Sequence, residues 1–399
     1  MPAKDESATY PRDMTSVYKY AHLVIAATSA KNGDDGFLRH RSPSYDLIGT
    51  DNTSFHVQRS ISHLTLSSTQ VSSTTMPLLD RAWCFQERML ASRILHYTED
   101  EMMWECQEEL WCECRLIKFD FPRHRKVETV KLAYAAAVAS TDSETHATSW
   151  NKLVREYSQR ALTLGTDRLP GISGIAREIA LPAMGRYLAG LWEFQLPQAL
   201  TWATTVGVHE RPVLLPRPSQ YTAPTWSWAS IVTAIALPRP DSIKESTSPV
   251  CRLIDVICTP KTGDLYGHVR YGQLSIFGPT MAGTVKRTDS DVEAHRYIVV
   301  LENVNSEAPE EVGYLNIFND IELSEDTITV LILLVQNRHY SNKSCRVEGL
   351  ALIQLTMHVG CWERIGMVEG PGPAGVDGSG PIDQMVELYP VKETEVVIV

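Results

Sequence analysis

The spacing of hydrophobic positions changes along the chain, and each change predicts a different element. From Met14 the run MTSVYKYAHLVIAATSA sets Val17, Ala21, Val24 and Ala27 at helical intervals, and Asn32-Gly33 closes it as a turn. A polar segment from Asp46 to Thr75 follows, rich in Ser, Thr and His, where pieces such as SFHVQRSI leave weak strand and loop both open. Pro77 and Asp80 then open a second helix, with Asp80 expected as its N-cap and Leu79, Trp83, Gln86 and Leu90 on one face. RILHYTEDEMMWEC reads as two short strands around an acidic turn.

Residues 127–206 carry a mainly helical pattern: VETVKLAYAAAVAS and SWNKLVREYSQRALT are amphipathic, and Pro170 fits the first turn of a further helix. From about Tyr221 the texture becomes short runs of Val, Ile and Thr separated by turn residues, which predicts an antiparallel sandwich or barrel. The stretch EGPGPAGVDGSGP, Glu369 to Pro381, combines Gly and Pro without a period and is expected as a mobile loop. No following helix makes it a phosphate-binding loop. The expected architecture is α+β in three parts: an α/β segment at 1–120, a helical layer at 121–235 and a β-rich region at 236–399.

Composition narrows the class. The chain has 399 residues, 43% hydrophobic and 21% charged, enough to bury sizeable cores. Its net charge of −11 repels polyanions, and its densest basic cluster is PRHRK at 122–126, so nucleic acid is not an expected partner. The run TVLILLV, Thr329 to Val335, is far shorter than the roughly 20 residues of a membrane-spanning helix. The N-terminal residues are polar, without the apolar segment of a signal peptide. Eight dispersed cysteines do not make a disulfide scaffold, and a cytoplasmic location is expected.

Several motifs, in order, resemble the heterokaryon incompatibility (HET) domain of filamentous fungi and the region that follows it. They are DMTSVYKYAHLVIAAT, GFLRHR and LLDRAWCFQERMLASRILHYTEDEMMWEC, then WNKLVREYSQRALTLGTDRLPGISGIA, YLAGLWEFQLPQALTW, APTWSWASI, EGLALIQ and WERIGMV. The family-motif residues are Arg81, Trp83, Gln86, Glu87, Arg88, Trp226 and Trp228. The family's earlier LSY-WG-like and WID-LCI-Q-like segments are not found, so the α/β unit is expected to be an incomplete, truncated remnant. The resemblance implies a role in nonself recognition and programmed cell death, with protein partners or self-association.

The HET domain is similar in proposed fold to TIR domains, some of which hydrolyse NAD with the glutamate of a Trp-x-x-x-Glu motif. Trp83 and Glu87 have that spacing, as do Trp104 and Glu108. On a helix, positions four apart are neighbours, so the Trp83 indole would wall the Glu87 carboxylate, and a carboxylate beside a ribose stabilises oxocarbenium charge. The competing expectation has Trp83 in the core, with Gln86, Glu87 and Arg88 satisfying backbone groups and charges. It fits a non-catalytic copy without cofactor; the catalytic alternative is an NAD glycohydrolase using Glu87, with NAD as substrate.

Other constellations favour structural roles. Cys106, Cys112 and Cys114, with His96 and His124 near in sequence, fit zinc-ligand spacing poorly, and no metal is expected. GISG at 171–174 lacks the spacing of a nucleophile elbow, and Ser173 is expected as a helix cap. Trp226 and Trp228 at strand spacing either pack a core or stack on a ligand, and YLAGLW reads as a packed helix end. Residues 236–347 carry no interpretable motif, so a structural protein whose β region does the work stays open.

Overall fold

The computed structural model describes residues 10–38, 45–48, 54–57, 76–114, 129–205, 214–238, 245–287, 297–301, 314–323, 325–340, 345–356, 358, 360–372 and 390–399, and the structural statements that follow concern these. PRHRK, His124, the RHR of GFLRHR, most of the polar 46–75 segment and residues 373–381 of the Gly/Pro stretch lie outside them. The chain forms two compact units. One comprises Met1–Thr163 and Pro170–Ala180, the other Leu164–Leu169 and Leu181–Val399.

In the first unit, α1 (Tyr10–Tyr20) stops short of the expected helical run, and Val24–Ala26 form strand β1. β-branched Val24 and Ile25 prefer extended backbone once a partner strand is available. The polar segment contains a hairpin, β2 (Tyr45–Ile48) with β3 (Ser54–Val57). A 3-10 turn at Pro77–Asp80 leads into α2 (Ala82–Leu90). Here Asp80 is not the N-cap: Arg81 holds that position without a side-chain cap bond, and the Asp80 carbonyl accepts the Ala161 N–H at 2.6 Å.

The expected strand pair is present as β4 (Arg93–Tyr97) and β5 (Met102–Cys106), followed by β6 (Leu110–Cys112). The sheet runs β1-β4-β5-β6, parallel between β1 and β4 and antiparallel beyond. The chain therefore makes one parallel crossover through α2 and continues as a meander. Alternation assigns the faces. Ile94, His96, Met103, Glu105, Leu110 and Cys112 are buried on one face. The register row Ile25, Leu95, Trp104 and Trp111 crosses the other. Ile25 is 57% exposed and Trp111 43%, and the two indoles stack at 6.2 Å.

Helices α3 (Val130–Ala139) and α4 (Ser143–Ser158) begin at side-chain caps: Thr129 accepts from the Leu132 N–H and Asp142 from the Thr145 N–H. Pro170 starts α5 (Pro170–Ile179) as expected. GISG is a close-packing device. A Cβ on Gly171 would fall 2.5 Å from the Tyr157 hydroxyl, and one on Gly174 would fall 2.5 Å from Thr15 Oγ1 and 2.9 Å from Gln86 Oε1. Ser173 does not cap; it is buried within the helix and its hydroxyl donates to the Pro170 carbonyl at 2.9 Å.

In the second unit, residues 182–205 depart from the expected helical layer and are built of 3-10 turns and two-residue strands. YLAGLW is a tight hairpin and not a helix end: β7 (Tyr187–Leu188) turns through Ala189 and Gly190, both at positive φ, into β8 (Leu191–Trp192). Beyond it, β9 (Ala203–Thr204) pairs with β10 (Ile235–Ala236). Trp226 and Trp228 are not on a strand; Ser227 caps a 3-10 turn at Trp228–Ser230, and both indoles are fully buried. The Trp228 Nε1–H donates to the Gly190 carbonyl at 2.9 Å and the Ser227 hydroxyl to the Ala189 carbonyl at 2.5 Å. Two motifs nearly forty residues apart thus interlock.

Long strands begin at Glu245, not Tyr221: β11 (Glu245–Pro249), β12 (Arg252–Pro260), β13 (Val269–Arg287), β14 (Tyr297–Leu301), β15 (Tyr314–Asn319), β16 (Thr327–Tyr340), β17 (Cys345–Gln354), β18 (Cys361–Gly372) and β19 (Lys392–Ile398). Of the two β architectures expected, the pairing is that of a barrel. Strands β16, β17, β18, β15, β14 and β13 follow one another, and β13 pairs back to β16, closing the ring. Met281, Val299, Ile317, Ile332, Leu334 and Ile365 fill its core. Arg364 is fully buried, forked on Asp320, and its guanidinium lies 3.4 Å from the Trp202 ring centre.

Candidate functional site

The motif residues of α2 divide by helical phase. Ala82, Phe85, Gln86, Met89 and Leu90 face the core, while Trp83, Cys84 and Glu87 lie on a half-buried side and Arg81 is exposed. Phe85 meets the Tyr157 ring at 5.8 Å, and Gln86 Oε1 accepts the Gly174 N–H at 2.6 Å. Gln86 therefore satisfies a backbone group.

Glu87 faces α1. The Tyr18 hydroxyl donates a hydrogen bond to its carboxylate, and burial pushes the acid above its ordinary value against the opposing pull of Tyr18 and Arg81. The same burial, with the Glu87 charge beside it, pushes the Tyr18 phenol up. It also takes the neighbouring Cys84 thiol up to about 11, so Cys84 is a protonated thiol at neutral pH and not a nucleophile. Trp83 sits half-buried on this side of the helix.

One residue further on, Arg88 points the opposite way into a buried charge cluster. Its Nε and Nη2 fork on the two oxygens of Glu105, each at 2.7 Å. His96 Nε2 lies 3.2 Å from Glu105, and its Nδ1 lies 2.9 Å from the Thr28 hydroxyl. The neutral tautomer fits, with Nε2–H donating to Glu105 and Nδ1 accepting from a Thr28 hydroxyl that also lies 3.3 Å from the Ala26 carbonyl. Lys131 reaches in from α3 and its ammonium donates to the Arg88 carbonyl and, at 2.5 Å, to the Ala91 carbonyl, capping the C-terminus of α2.

The titration behaviour follows from this arrangement. Burial alone would raise Glu105, yet Arg88 and His96 hold it well below the usual carboxylate range. Burial works against the charge of Arg88, but Glu105 raises it. Burial keeps His96 below its ordinary value, and it takes Lys131 down to about 8 against the pull of Glu105. A forked pair with every neighbour hydrogen-bonded is what a buried ion pair needs to be tolerated. This is a structural brace joining α2, β4, β5 and α3.

Of the residues singled out in the sequence, Trp83 and Glu87 share the half-buried side with Tyr18. Arg88 and Gln86 serve the core, and Trp226 and Trp228 pack within the second unit. The Trp104 and Glu108 pair does not reproduce helical neighbours, because Trp104 is in β5 and Glu108 lies in the turn after it. Cys106, Cys112 and Cys114 are not gathered as a trio: alternation puts Cys106 on the face of Trp104, opposite Cys112. His96 is engaged with Glu105 and Thr28. Tyr18, Glu105 and Lys131 were not singled out. A signal for Glu105 was present, since in MMWEC the acid falls in phase with the buried Met103.

Residues 3–87 fit the sequence model of the family described as heterokaryon incompatibility protein (HET), which supports a heterokaryon incompatibility-type domain over those residues. The matched stretch contains Tyr18 and ends at Glu87. No curated protein and no solved structure matches the chain.

Proposed function

We propose that this HET-type protein acts in nonself recognition and programmed cell death of filamentous fungi, as a cytoplasmic, non-catalytic signalling module working through protein partners or self-association. The family match at 3–87 supports the signalling role. The hydrogen bond from Tyr18 to Glu87 carries the non-catalytic part: the carboxylate that would face a ribose is engaged by α1. The half-open apolar row of Ile25, Leu95, Trp104 and Trp111 supports a role in binding other proteins. Among the described residues, no helix is long and apolar enough to cross a membrane.

Inducible expression of the full chain in hyphae, scored by vital-dye uptake and NAD content, tests the reading. The expected result is cell death with both the native chain and Glu87→Gln, without a prior fall in NAD. Absence of death with either chain overturns it.

A second reading has its own support. Glu87 is a half-buried acid four residues after Trp83 on α2, the spacing of the TIR-like NAD glycohydrolase motif. In that case NAD falls before death, and Glu87→Gln abolishes both.

A further inference from the structure

We propose that Glu101, Cys112 and Cys114 form a binding site for a thiophilic divalent cation of the Zn2+ or Cd2+ class. The register of the β5 and β6 pair brings the three together. Met103 lies opposite Cys112, and continuing that ladder past the strand ends places Glu101 opposite Cys114. The backbone bonds agree: the Glu113 N–H reaches the Met102 carbonyl at 3.1 Å, and the Cys114 N–H reaches Glu101 Oε2 at 3.0 Å. Side chains two apart along an extended strand share a side, so Cys112 and Cys114 both face Glu101.

The donor atoms are close enough for one ion. The carboxylate oxygen and both sulfurs lie within 4.8 Å of one another, and the sulfurs are 3.2 Å apart. With metal–sulfur bonds of about 2.3 Å, two thiolates of a tetrahedral site stand about 3.8 Å apart, so the sulfurs need to part by roughly 0.6 Å. The site is sheltered. Glu101 and Cys112 are each 1% exposed, and Cys112 belongs to an apolar cluster with Met76, Leu79, Met103 and Leu110, against which Cys114 packs. Low dielectric there strengthens the attraction between a dication and its anionic ligands.

The donor set selects the metal. Two sulfurs with one carboxylate suit Zn2+ and its soft congeners, whereas Ca2+ and Mg2+ require shells of oxygen. Binding converts two thiols to thiolates and releases two protons to solvent, so affinity rises with pH. Three protein ligands leave a fourth tetrahedral position for water or another donor. The spacing rule that argued against zinc in the sequence concerned Cys-x5-Cys-x-Cys. The site dispenses with Cys106 and takes its third ligand from across the hairpin.

The test is titration of the purified, fully reduced, metal-free chain with Cd2+, following the ultraviolet thiolate-to-metal charge-transfer band. The expected result is saturation at one equivalent, with displacement by Zn2+ and no response to Mg2+. Cys112→Ser and Cys114→Ser should each weaken binding by more than the roughly 10- to 100-fold lost when a supporting outer-shell group is removed. Glu101→Gln should weaken it while keeping the band. Because Cys112 is buried and its variant could misfold, the native chain gives an independent readout. One equivalent of Cd2+ should slow alkylation of Cys112 and Cys114 and leave Cys258 and Cys361 unaffected. A band that survives both serine variants overturns the proposal, as does a stoichiometric band without protection of the two thiols. Isolation of the pair only as a disulfide that takes up no metal after reduction also overturns it.

Discussion

The Tyr18 hydroxyl donates to the Glu87 carboxylate, tying α1 to α2 at the last residue of the HET-matched stretch. A Tyr18→Phe and Glu87→Leu double-mutant cycle, each change removing one partner, should give a coupling of about 1 kcal/mol in urea unfolding, the usual net worth of one such bond. Zero coupling would mean that the pair is not a brace.

The sign of the Glu87 pH dependence is fixed by its raised value. A carboxyl that titrates higher in the folded than in the unfolded chain contributes stability below its unfolded pKa and loses it as pH rises through the folded value. Glu87→Gln should therefore flatten a decline in stability across the mildly acid range. Glu105, held low, acts oppositely: its contribution is present above the unfolded value and lost as pH falls through the folded one. Urea midpoints against pH for the native chain and each glutamine variant check both signs.

Removing one partner of the buried pair should cost far more than removing both. Arg88→Met alone leaves Glu105 charged and buried, at a cost of about 3–5 kcal/mol, whereas Arg88→Met with Glu105→Leu should recover most of it. Thermal or urea unfolding of the three variants measures this. Equal losses in the single and double variants would show that Glu105 does not depend on Arg88.

Lys131 caps α2 with a pKa lowered to about 8 from its ordinary 10.5. The unfolded chain then binds more protons between those values, so stability should rise with pH across that window. Lys131→Met should remove the rise, visible as the difference between the two stability profiles.

Gly190→Val should destabilise the second unit. At φ 96° the backbone is unsuited to a side chain, and a Cβ would fall 2.5 Å from Trp228 Nε1. The expected loss is about 1–3 kcal/mol in urea unfolding. Trp228→Phe, which frees that space, should lessen the added cost of Gly190→Val.

Local pattern made some elements legible. Pro170 opened a helix and RILHYTEDEMMWEC folded as two strands, because their signals lie within a few residues. The misreadings arose where distant partners decide. Val24 joins a strand because Ile94 pairs with it, YLAGLW turns as a hairpin because Trp228 grips Gly190, and Trp226 leaves the strand pattern for a buried turn. At the candidate site, Glu87 and Trp83 were visible as a spacing. Tyr18 was not, because helical period places it on α1 without saying which residue of α2 it meets. Cys112 and Cys114 were visible, and Glu101 required the register of the hairpin.

The most direct test is NAD turnover by the purified full chain beside Glu87→Gln, with both checked for the same native circular-dichroism spectrum at neutral pH. If Glu87 is a brace within a signalling module, neither protein consumes NAD. Turnover by the native chain that disappears in Glu87→Gln would contradict that reading and make Glu87 a catalytic residue.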